Sequence, residues 1–334
     1  MLGGDFRSTP GGRFPSSALP MPNPAPSPPS DRRTFRVGLA YATAAYLWWG
    51  MSPLYWRLIE EVPPAEMMGH RVLGCVAVLA LLLAGTGRLG ELRRVVRDRR
   101  AFSTLVASTV LIATNWYTFL WAIAEDRVLQ VSLGYYVTPL LNVLLGVVFL
   151  GERLRRAQGV AVALASVGVV ILTVEAGTLP WVSVLIAVSF GGYGLLRKTV
   201  AAGPEVGLAV ETTLMLPVVV GWFLWRGPLT GGVAAPAFAA ADPGIQWLVA
   251  LSGPVTLVSL IWFTHGARRL PLSTLGLLQY LAPTGQFLIA VFLFGESFAT
   301  LHLAAFAFIW AGLAVFTYDL RRHLAAGRDS ATAA

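Results

Sequence analysis

The chain of 334 residues is 56% hydrophobic and 13% charged, and its formal net charge is +8. Soluble proteins carry roughly 25% charged residues, so this composition excludes an ordinary soluble globular domain. The apolar residues are grouped in runs that approach the ~20 residues needed to cross the hydrocarbon layer of a membrane. The single cysteine, Cys75, excludes a disulfide within the chain.

Ten apolar segments follow an N-terminal stretch that is rich in Pro, Gly and Ser and lacks the apolar core of a signal peptide. Residues 1–34 are therefore expected to form a disordered tail, and residues 321–334 a second tail. The sequence predicts an all-α integral membrane protein with ten transmembrane helices. They are predicted near residues 37–58, 65–86, 102–124, 131–150, 157–174, 180–197, 208–225, 245–267, 273–294 and 301–319.

Arginine and lysine residues are concentrated in alternate loops, most strongly in RLGELRRVVRDRR at 88–100. Cytoplasmic loops of membrane proteins carry such an excess of positive charge, so both termini are predicted to be cytoplasmic. The positive charge is then a determinant of topology beside anionic lipid, and nucleic acid is not expected as a partner.

A motif of Pro, eleven residues and Gly-Glu occurs twice, at 139–152 and at 283–296. The same offset of 144 positions pairs Trp49 with Tyr193 and nearly pairs Glu66 with Glu211. These matches indicate a duplicated unit of five helices. Because five is odd, the second copy must enter the membrane from the opposite side, which is the inverted-repeat architecture of many secondary transporters.

The repeats are predicted to span residues 35–174 and 175–320, with one proline inside a helix of each. Pro139 and Pro283 leave the carbonyl groups of Tyr135 and Gln279 without their helical donors. Interrupted helices at matching positions favour a substrate site near the middle of the membrane. A kink in a packed helix is the equally weighted alternative.

Polar residues near helix ends form a second group of candidates. Glu66 and His70 share a helix face, with Arg71 beside them, so an ion pair or a proton-accepting cluster is one interpretation. Glu66 and Glu211 are also expected in the first turns of their helices, where a carboxylate complements the helix dipole. Gates and helix-start carboxylates both remain open. Asn115 suits a hydrogen bond between helices as well as it suits substrate contact.

Enzymatic motifs are missing from the sequence, since the four histidines are scattered and no nucleophile or phosphate-binding pattern occurs. We therefore expect neither an enzyme nor a bound metal or cofactor.

Several stretches, in this order and spacing, resemble the RarD group of EamA transporters in the drug/metabolite transporter superfamily. They are PAEMMGHR, NWYTFLWA, SLGYYVTPLLNVLLGVVFLGERL, SFGGYGLLRK, LPLSTLGLLQYLAPTGQFLIAVFLFGE and FAFIWAGLAVF. The resemblance implies a ten-helix permease of the bacterial inner membrane with a traditional link to chloramphenicol sensitivity or resistance. The chain departs from the expected pattern at Gln130, Thr138 and His265.

Carried over by position, the family motifs fall on His70-Arg71, Asn115-Trp116, Leu133-Gly134-Tyr135, Gln279-Tyr280 with Pro283-Thr284, and Glu211.

We expect a secondary transporter that exports small organic molecules. Its expected partners are the lipid bilayer and a small-molecule solute. A proton is the candidate coupling ion and a homodimer the candidate assembly. The alternative is a non-transporting membrane scaffold or assembly partner. The predicted cavity residues are Trp49, Tyr135, Asn142, Tyr193, Gln279 and Gln286. The residues predicted to set charge or gating are Glu66, His70, Arg71, Asn115 and Glu211.

Overall fold

The computed structural model describes residues 32–125, 127–175, 177, 181–226, 237–293, 295 and 300–332. The tail predicted at 1–34 thus lies outside the described residues as far as position 31. The described residues form thirteen helices. They are α1 Arg32–Arg57, α2 Pro64–Gly85, α3 Leu89–Arg97, α4 Arg99–Ala124, α5 Val128–Leu150, α6 Arg156–Glu175, α7 Trp181–Thr199, α8 Pro204–Arg226, α9 Ala237–Ala240, α10 Pro243–Arg269, α11 Leu272–Gln279, α12 Leu281–Phe292 and α13 Thr300–Thr332.

Six segments in the described part of the chain are long and apolar enough to cross a membrane, with mean hydropathies from 1.7 to 2.2. These segments confirm the prediction of an all-helical, multi-pass membrane protein. They are Pro64–Gly85, Gln130–Leu150, Arg156–Glu175, Pro204–Trp225, Pro243–Arg269 and His302–His323.

Proline and glycine mark many of the helix ends. α2, α8 and α10 begin at proline, which lacks the N–H that a first helical residue would leave unbonded. The Asp242 side chain accepts a hydrogen bond from the Gly244 N–H at 2.8 Å and so caps α10. Gly151 ends α5 in the left-handed conformation, and Gly295 has nearly the same φ, 64° and 68° respectively.

The basic segment at 88–100 is predicted as a loop, but it contains helix α3. Val95 is buried and Leu92 packs on the same core cluster, whereas the arginines lie on the other faces. A short amphipathic helix of this kind suits a membrane interface. Because the arginines dominate the composition, the spacing of the two apolar residues is easily overlooked.

The two proline-containing segments differ in their backbone. α5 continues through Pro139, whereas the corresponding second segment is divided at Tyr280 into α11 and α12. The first of these two pieces, α11, is buried along its whole length.

Helices that are distant in the sequence pack against one another. α1 packs against α10 and α12, and α7 packs against α4 and α5. α2 contacts α10 and α8 contacts α4, while α2 also meets α8, α5 meets α11 and α6 meets α13.

Helices α6 and α13 approach each other through two glycines. A methyl carbon placed on Gly168 would lie 2.6 Å from the carbonyl oxygen of Ala305. One placed on Gly312 would lie 2.7 Å from the carbonyl oxygen of Ala161. From the first contact to the second the residue number falls on α6, from 168 to 161, and rises on α13, from 305 to 312. The two helices are therefore antiparallel. Small residues permit this close approach in membranes.

The helix bundle has a basic end and an opposite end. The basic end carries Arg88, the last turn of α7 with Arg197 and Lys198, and the last turn of α10 with Arg268 and Arg269. The opposite end carries the last residue of α1, Arg57, and the first residues of α2 and α7.

Candidate functional site

An aromatic cluster lies where α1, α7 and α10 meet. The Trp49 and Phe190 rings lie 5.5 Å and 5.4 Å from the Phe263 ring, and Tyr193 stacks on Phe263 at 6.1 Å. Tyr46 completes the cluster at 6.3 Å from Phe263. Tyr46 and Phe190 are 144 positions apart, as are Trp49 and Tyr193. The cluster therefore contains two of the residues predicted to line a cavity, Trp49 and Tyr193.

Trp49 hydrogen-bonds to α10 within this cluster and connects the cluster to one further helix, α12. Its indole Nε1–H donates to the Ser259 hydroxyl at 2.9 Å, and its carbonyl accepts from Gln286 Nε2 at 3.1 Å. The predicted cavity residue Gln286 is thereby brought to Trp49.

Asn142 and Gln279 form a buried amide pair between α5 and α11. Asn142 Nδ2 donates to Gln279 Oε1 at 2.8 Å, and both side chains are buried. Asn142 Oδ1 has no hydrogen-bond partner among the described residues, and it faces the glycines of α7 at Gly191 and Gly194. A buried acceptor without a donor is costly, so this oxygen is available to a donor on a bound molecule.

Tyr135 lies apart from the other predicted cavity residues. Its ring is 6.3 Å from Phe119, and its phenol is within electrostatic range of the Arg71 guanidinium. Arg71 lies over the rings of Trp116 and Trp56, at 4.5 Å and 5.5 Å from their centroids. Sequence analysis did not connect these two tryptophans with Arg71.

A buried ion pair joins α7 to α8. Arg197 Nη1 lies 3.7 Å from Glu211 Oε1, and the two side chains are 0% and 2% exposed. The Ser108 hydroxyl of α4 donates to the same carboxylate, and Arg197 Nη2 donates to the Pro204 carbonyl at 2.9 Å. The expected position of Glu211 in the first turn differs from the structure because α8 begins at Pro204. Arg197 was not among the residues predicted to set charge or gating.

The first-turn carboxylate of α8 is Glu205, which sequence analysis missed. It pairs with Arg88 at 3.1 Å and with His265 Nε2 at 3.3 Å. Arg269 Nη1 lies 2.7 Å from His265 Nδ1. Since arginine only donates, Nδ1 must accept, and the neutral ring presents its Nε2–H to Glu205. His265, a departure from the family pattern, is thus part of a network at the basic end.

Arg88 also pairs with Glu91, at 2.9 Å. The hydrogen bond from Arg88 holds the pKa of the Glu91 carboxyl below its usual value, and the same bond raises the pKa of Arg88. Both side chains are partly exposed, at 31% and 46%, and pairs that solvent reaches contribute little stability.

Glu66 caps a second helix. Its carboxylate accepts hydrogen bonds from the N–H groups of Ala237 and Phe238, at 3.1 Å and 2.9 Å, at the start of α9. His70 Nε2 lies 3.9 Å from Glu66, and its ring packs on Phe238 at 4.3 Å.

Asn115 donates to the Ile186 carbonyl and to the Ser189 hydroxyl, both at 3.1 Å, and so links α4 to α7. Both hydrogen bonds of the Asn115 amide nitrogen are therefore made to groups of the protein itself.

The Glu of the first Pro-x11-Gly-Glu motif also caps a distant helix. Glu152 accepts from the N–H groups of Leu272 and Ser273 at 2.5 Å and 2.8 Å, and from the Ser273 hydroxyl at 2.7 Å. It therefore holds the start of α11, whose last residue is Gln279. The matching Glu296 lies outside the described residues.

Among the residues that the structure describes, no group of three or more His, Cys, Asp or Glu side chains could hold a metal ion. The site is instead composed of aromatic rings, amides and buried charges.

Comparison with known proteins matches residues 36–174 to the EamA-like transporter family. An uncharacterized transporter of Pseudomonas aeruginosa is 45% identical over 86% of this chain and 96% of its own length. Protein RarD of Streptomyces exfoliatus is 39% identical over 86% of this chain and 90% of its own. Protein RarD of Escherichia coli is 38% identical over 86% and 96%.

A solved crystal structure that is 21% identical has a similar fold, with a TM-score of 0.66 over 86% of this chain and 99% of that one. The relatives are named as transporters or as RarD, not as enzymes. The chain belongs to the EamA-like transporter family and, within it, to the RarD group.

Proposed function

We propose that this protein is a secondary transporter that exports small organic molecules across the bacterial inner membrane. Two inverted five-helix halves, residues 35–174 and 175–320, alternate between two states in which a central site opens to one side or the other. In this arrangement the ten spans are α1, α2, α4, α5, α6, α7, α8, α10, α11 with α12, and α13.

The reciprocal contact of α6 and α13 carries this proposal. Gly168 meets Ala305 and Gly312 meets Ala161, and in both pairs of equivalent positions the offset is 144. Gly168 of α6 contacts Ala305 of α13, and the equivalent glycine of α13 contacts the equivalent alanine of α6. Such a reciprocal pair of contacts is what a two-fold axis between the two segments produces. Because the helices are antiparallel, that axis is perpendicular to them and lies in the plane of the membrane.

The remaining helix contacts agree with the same axis. Shifting α1 by 144 positions gives α7, and shifting α4 gives α10, so the α1–α10 contact corresponds to the α7–α4 contact. The α2–α10 and α8–α4 contacts correspond in the same way. Two equivalent halves that interleave can exchange conformations, which is the physical basis of alternating access.

The binding site of the proposal lies between α1, α5, α7, α11 and α12. The Asn142–Gln279 pair offers an unpaired acceptor, and Trp49 with Gln286 borders the aromatic cluster that contains Tyr193. An amide acceptor beside aromatic rings suits a polar organic molecule with an apolar or aromatic part.

The basic end is proposed to face the cytoplasm, which places both termini there, in accordance with the distribution of arginine and lysine. Glu211 is the proposed proton carrier, since it is a buried carboxylate with partners on two other helices, Ser108 of α4 and Arg197 of α7. A homodimer is proposed as the assembly.

The test is transport by the purified protein in liposomes, after a thermal-stability screen of amino acids, aromatic metabolites and phenicol drugs for compounds that raise the melting temperature. Asn142→Ala and Gln279→Ala should abolish counterflow of a stabilising compound. Thr173→Ala is the matched control, because that hydroxyl bonds only within α6, to the Val169 carbonyl. Full transport in both amide variants would refute the site assignment.

A chain that carries no compound in any direction, in the presence or absence of a proton gradient, would favour the alternative of a membrane scaffold. A scaffold should also tolerate Gln279→Ala and His70→Ala in growing cells as long as the protein folds.

A further inference from the structure

Arg71 lies within the membrane helix α2 and is directed towards neighbouring helices. It is seven residues after the start of α2 at Pro64, or about 10 Å along the helix axis. The residue is half-buried. Its guanidinium lies over the Trp56 ring of α1 and the Trp116 ring of α4, so it faces the bundle.

The guanidinium is held by aromatic rings and lacks a counter-ion among the described residues. It lies over Trp116 and Trp56, and Nη2 is 3.1 Å from Met68 Sδ. Nε is buried without a hydrogen-bond partner, and no described carboxylate oxygen lies within 4.0 Å. By contrast, Arg197, whose side chain is 0% exposed, has its carboxylate partner in Glu211.

The nearest acidic residue on the same helix is already engaged. Both oxygens of Glu66 accept backbone N–H groups, from Ala237 and Phe238. The charge of Arg71 is therefore not neutralised by its own helix. A charge without a partner at this depth is costly, and cation–π contact offsets only part of that cost.

A planar guanidinium with free N–H donors matches a carboxylate, which can accept two parallel hydrogen bonds. The two neighbouring indole rings suit an aromatic or apolar body attached to that carboxylate. On the basis of the transport function proposed above, we propose that Arg71, Trp116 and Trp56 form the recognition site for the acid group of the substrate. The substrate class is then small organic carboxylates with an aromatic body.

The proposal is tested on the purified full-length protein in detergent with three matched probes. They are indole-3-acetate, its neutral amide indole-3-acetamide, and the cation tryptamine. Dissociation constants come from the shift of the melting temperature with probe concentration. The acid should bind at least tenfold more tightly than the amide, and the cation should not bind.

Variants separate the guanidinium from general effects. Arg71→Gln should weaken the acid at least tenfold and leave the amide unchanged, and Arg71→Lys should recover only part of the loss because lysine has no planar fork. Arg127→Gln is the matched control, since Arg127 also lies over a tryptophan, Trp121, at 5.2 Å, but next to the end of its helix. This control should keep the affinity of the wild-type protein. Trp116→Leu, which retains the charge, replaces Arg71→Gln as the test if that variant does not fold, and it too should weaken the acid.

Three outcomes would overturn the proposal: equal binding of acid and amide, no binding of the acid, or full acid affinity in Arg71→Gln. A shift given by inorganic phosphate as large as that given by the acid would also contradict it, because it would indicate an anion site without selection for an organic body. Counterflow in liposomes distinguishes this failure from that of the proposed function. If a neutral or cationic compound is carried while the acids are not, transport stands and acid recognition by Arg71 falls.

Discussion

Replacing Glu152 by alanine should destabilise the protein by removing the cap of α11. The carboxylate makes three hydrogen bonds there, to the N–H groups of Leu272 and Ser273 and to the Ser273 hydroxyl. Leu272 and Ser273 are 0% and 3% exposed, so water cannot readily take the place of the carboxylate.

The magnitude follows from these contacts. Loss of a helix cap costs about 1 kcal/mol, and loss of a charge at a partly buried helix N-terminus costs up to about 2 kcal/mol. Each buried N–H left without an acceptor costs about 1–3 kcal/mol, and these contributions overlap. We expect a total near 3 kcal/mol, which corresponds to a fall in melting temperature of roughly 4 °C for a chain of 334 residues.

Thermal unfolding in a single detergent, followed by intrinsic fluorescence, measures this change. Glu152→Gln keeps one acceptor oxygen and should lose about half as much. Glu91→Gln is the control, because Glu91 pairs with Arg88 at the surface and its loss should leave the melting temperature unchanged. A melting temperature of Glu152→Ala within about 1 °C of the wild-type value would refute the reasoning, since that difference corresponds to less than about 1 kcal/mol.

Two further predictions concern helix packing and buried charge. Gly253→Ala places a methyl carbon 2.6 Å from the backbone of Gly74 and should cost about 1–3 kcal/mol in unfolding assays, whereas Gly221→Ala meets no atom within 4 Å and should not destabilise; equal melting temperatures would contradict the close approach of α2 and α10. Glu211→Ala leaves Arg197 unpaired and should cost about 3–5 kcal/mol, and adding Arg197→Met should restore most of the stability without restoring transport. Folded yield by size-exclusion chromatography checks the stability, and a double variant no more stable than Glu211→Ala would contradict the pairing.

Six of the predicted spans match helices that are long and apolar enough to cross a membrane, and they could be predicted because such runs are required of any membrane-crossing helix. The family could be identified because its motifs are short, ordered and rich in Gly, Pro and polar residues. The ends of the helices were harder to predict. The start of α8 was expected near 208, but Pro204 provides the first helical residue, and this shift moves Glu211 from the first turn into the interior.

The partners of the polar side chains could not be predicted, because they lie far away in the chain. Glu66 is held by residues 171 and 172 positions later, and Asn142 pairs with Gln279 across 137 positions. The burial of Arg197 could not be predicted, because nothing in its local sequence distinguishes a buried arginine from an exposed one. Only the three-dimensional structure shows that Arg197 faces Glu211.

The cap on α11 also sets an order of events during synthesis. Glu152 precedes its first partner, Leu272, by 120 residues. At about 5–20 residues per second, roughly 6–24 s pass between the synthesis of the carboxylate and that of the N–H groups that it will bind. During that interval the charge must remain in water or among the lipid headgroups. The end of α5 therefore remains at the membrane surface until α11 has been synthesised and inserted, and α5 cannot reach its final packing before then.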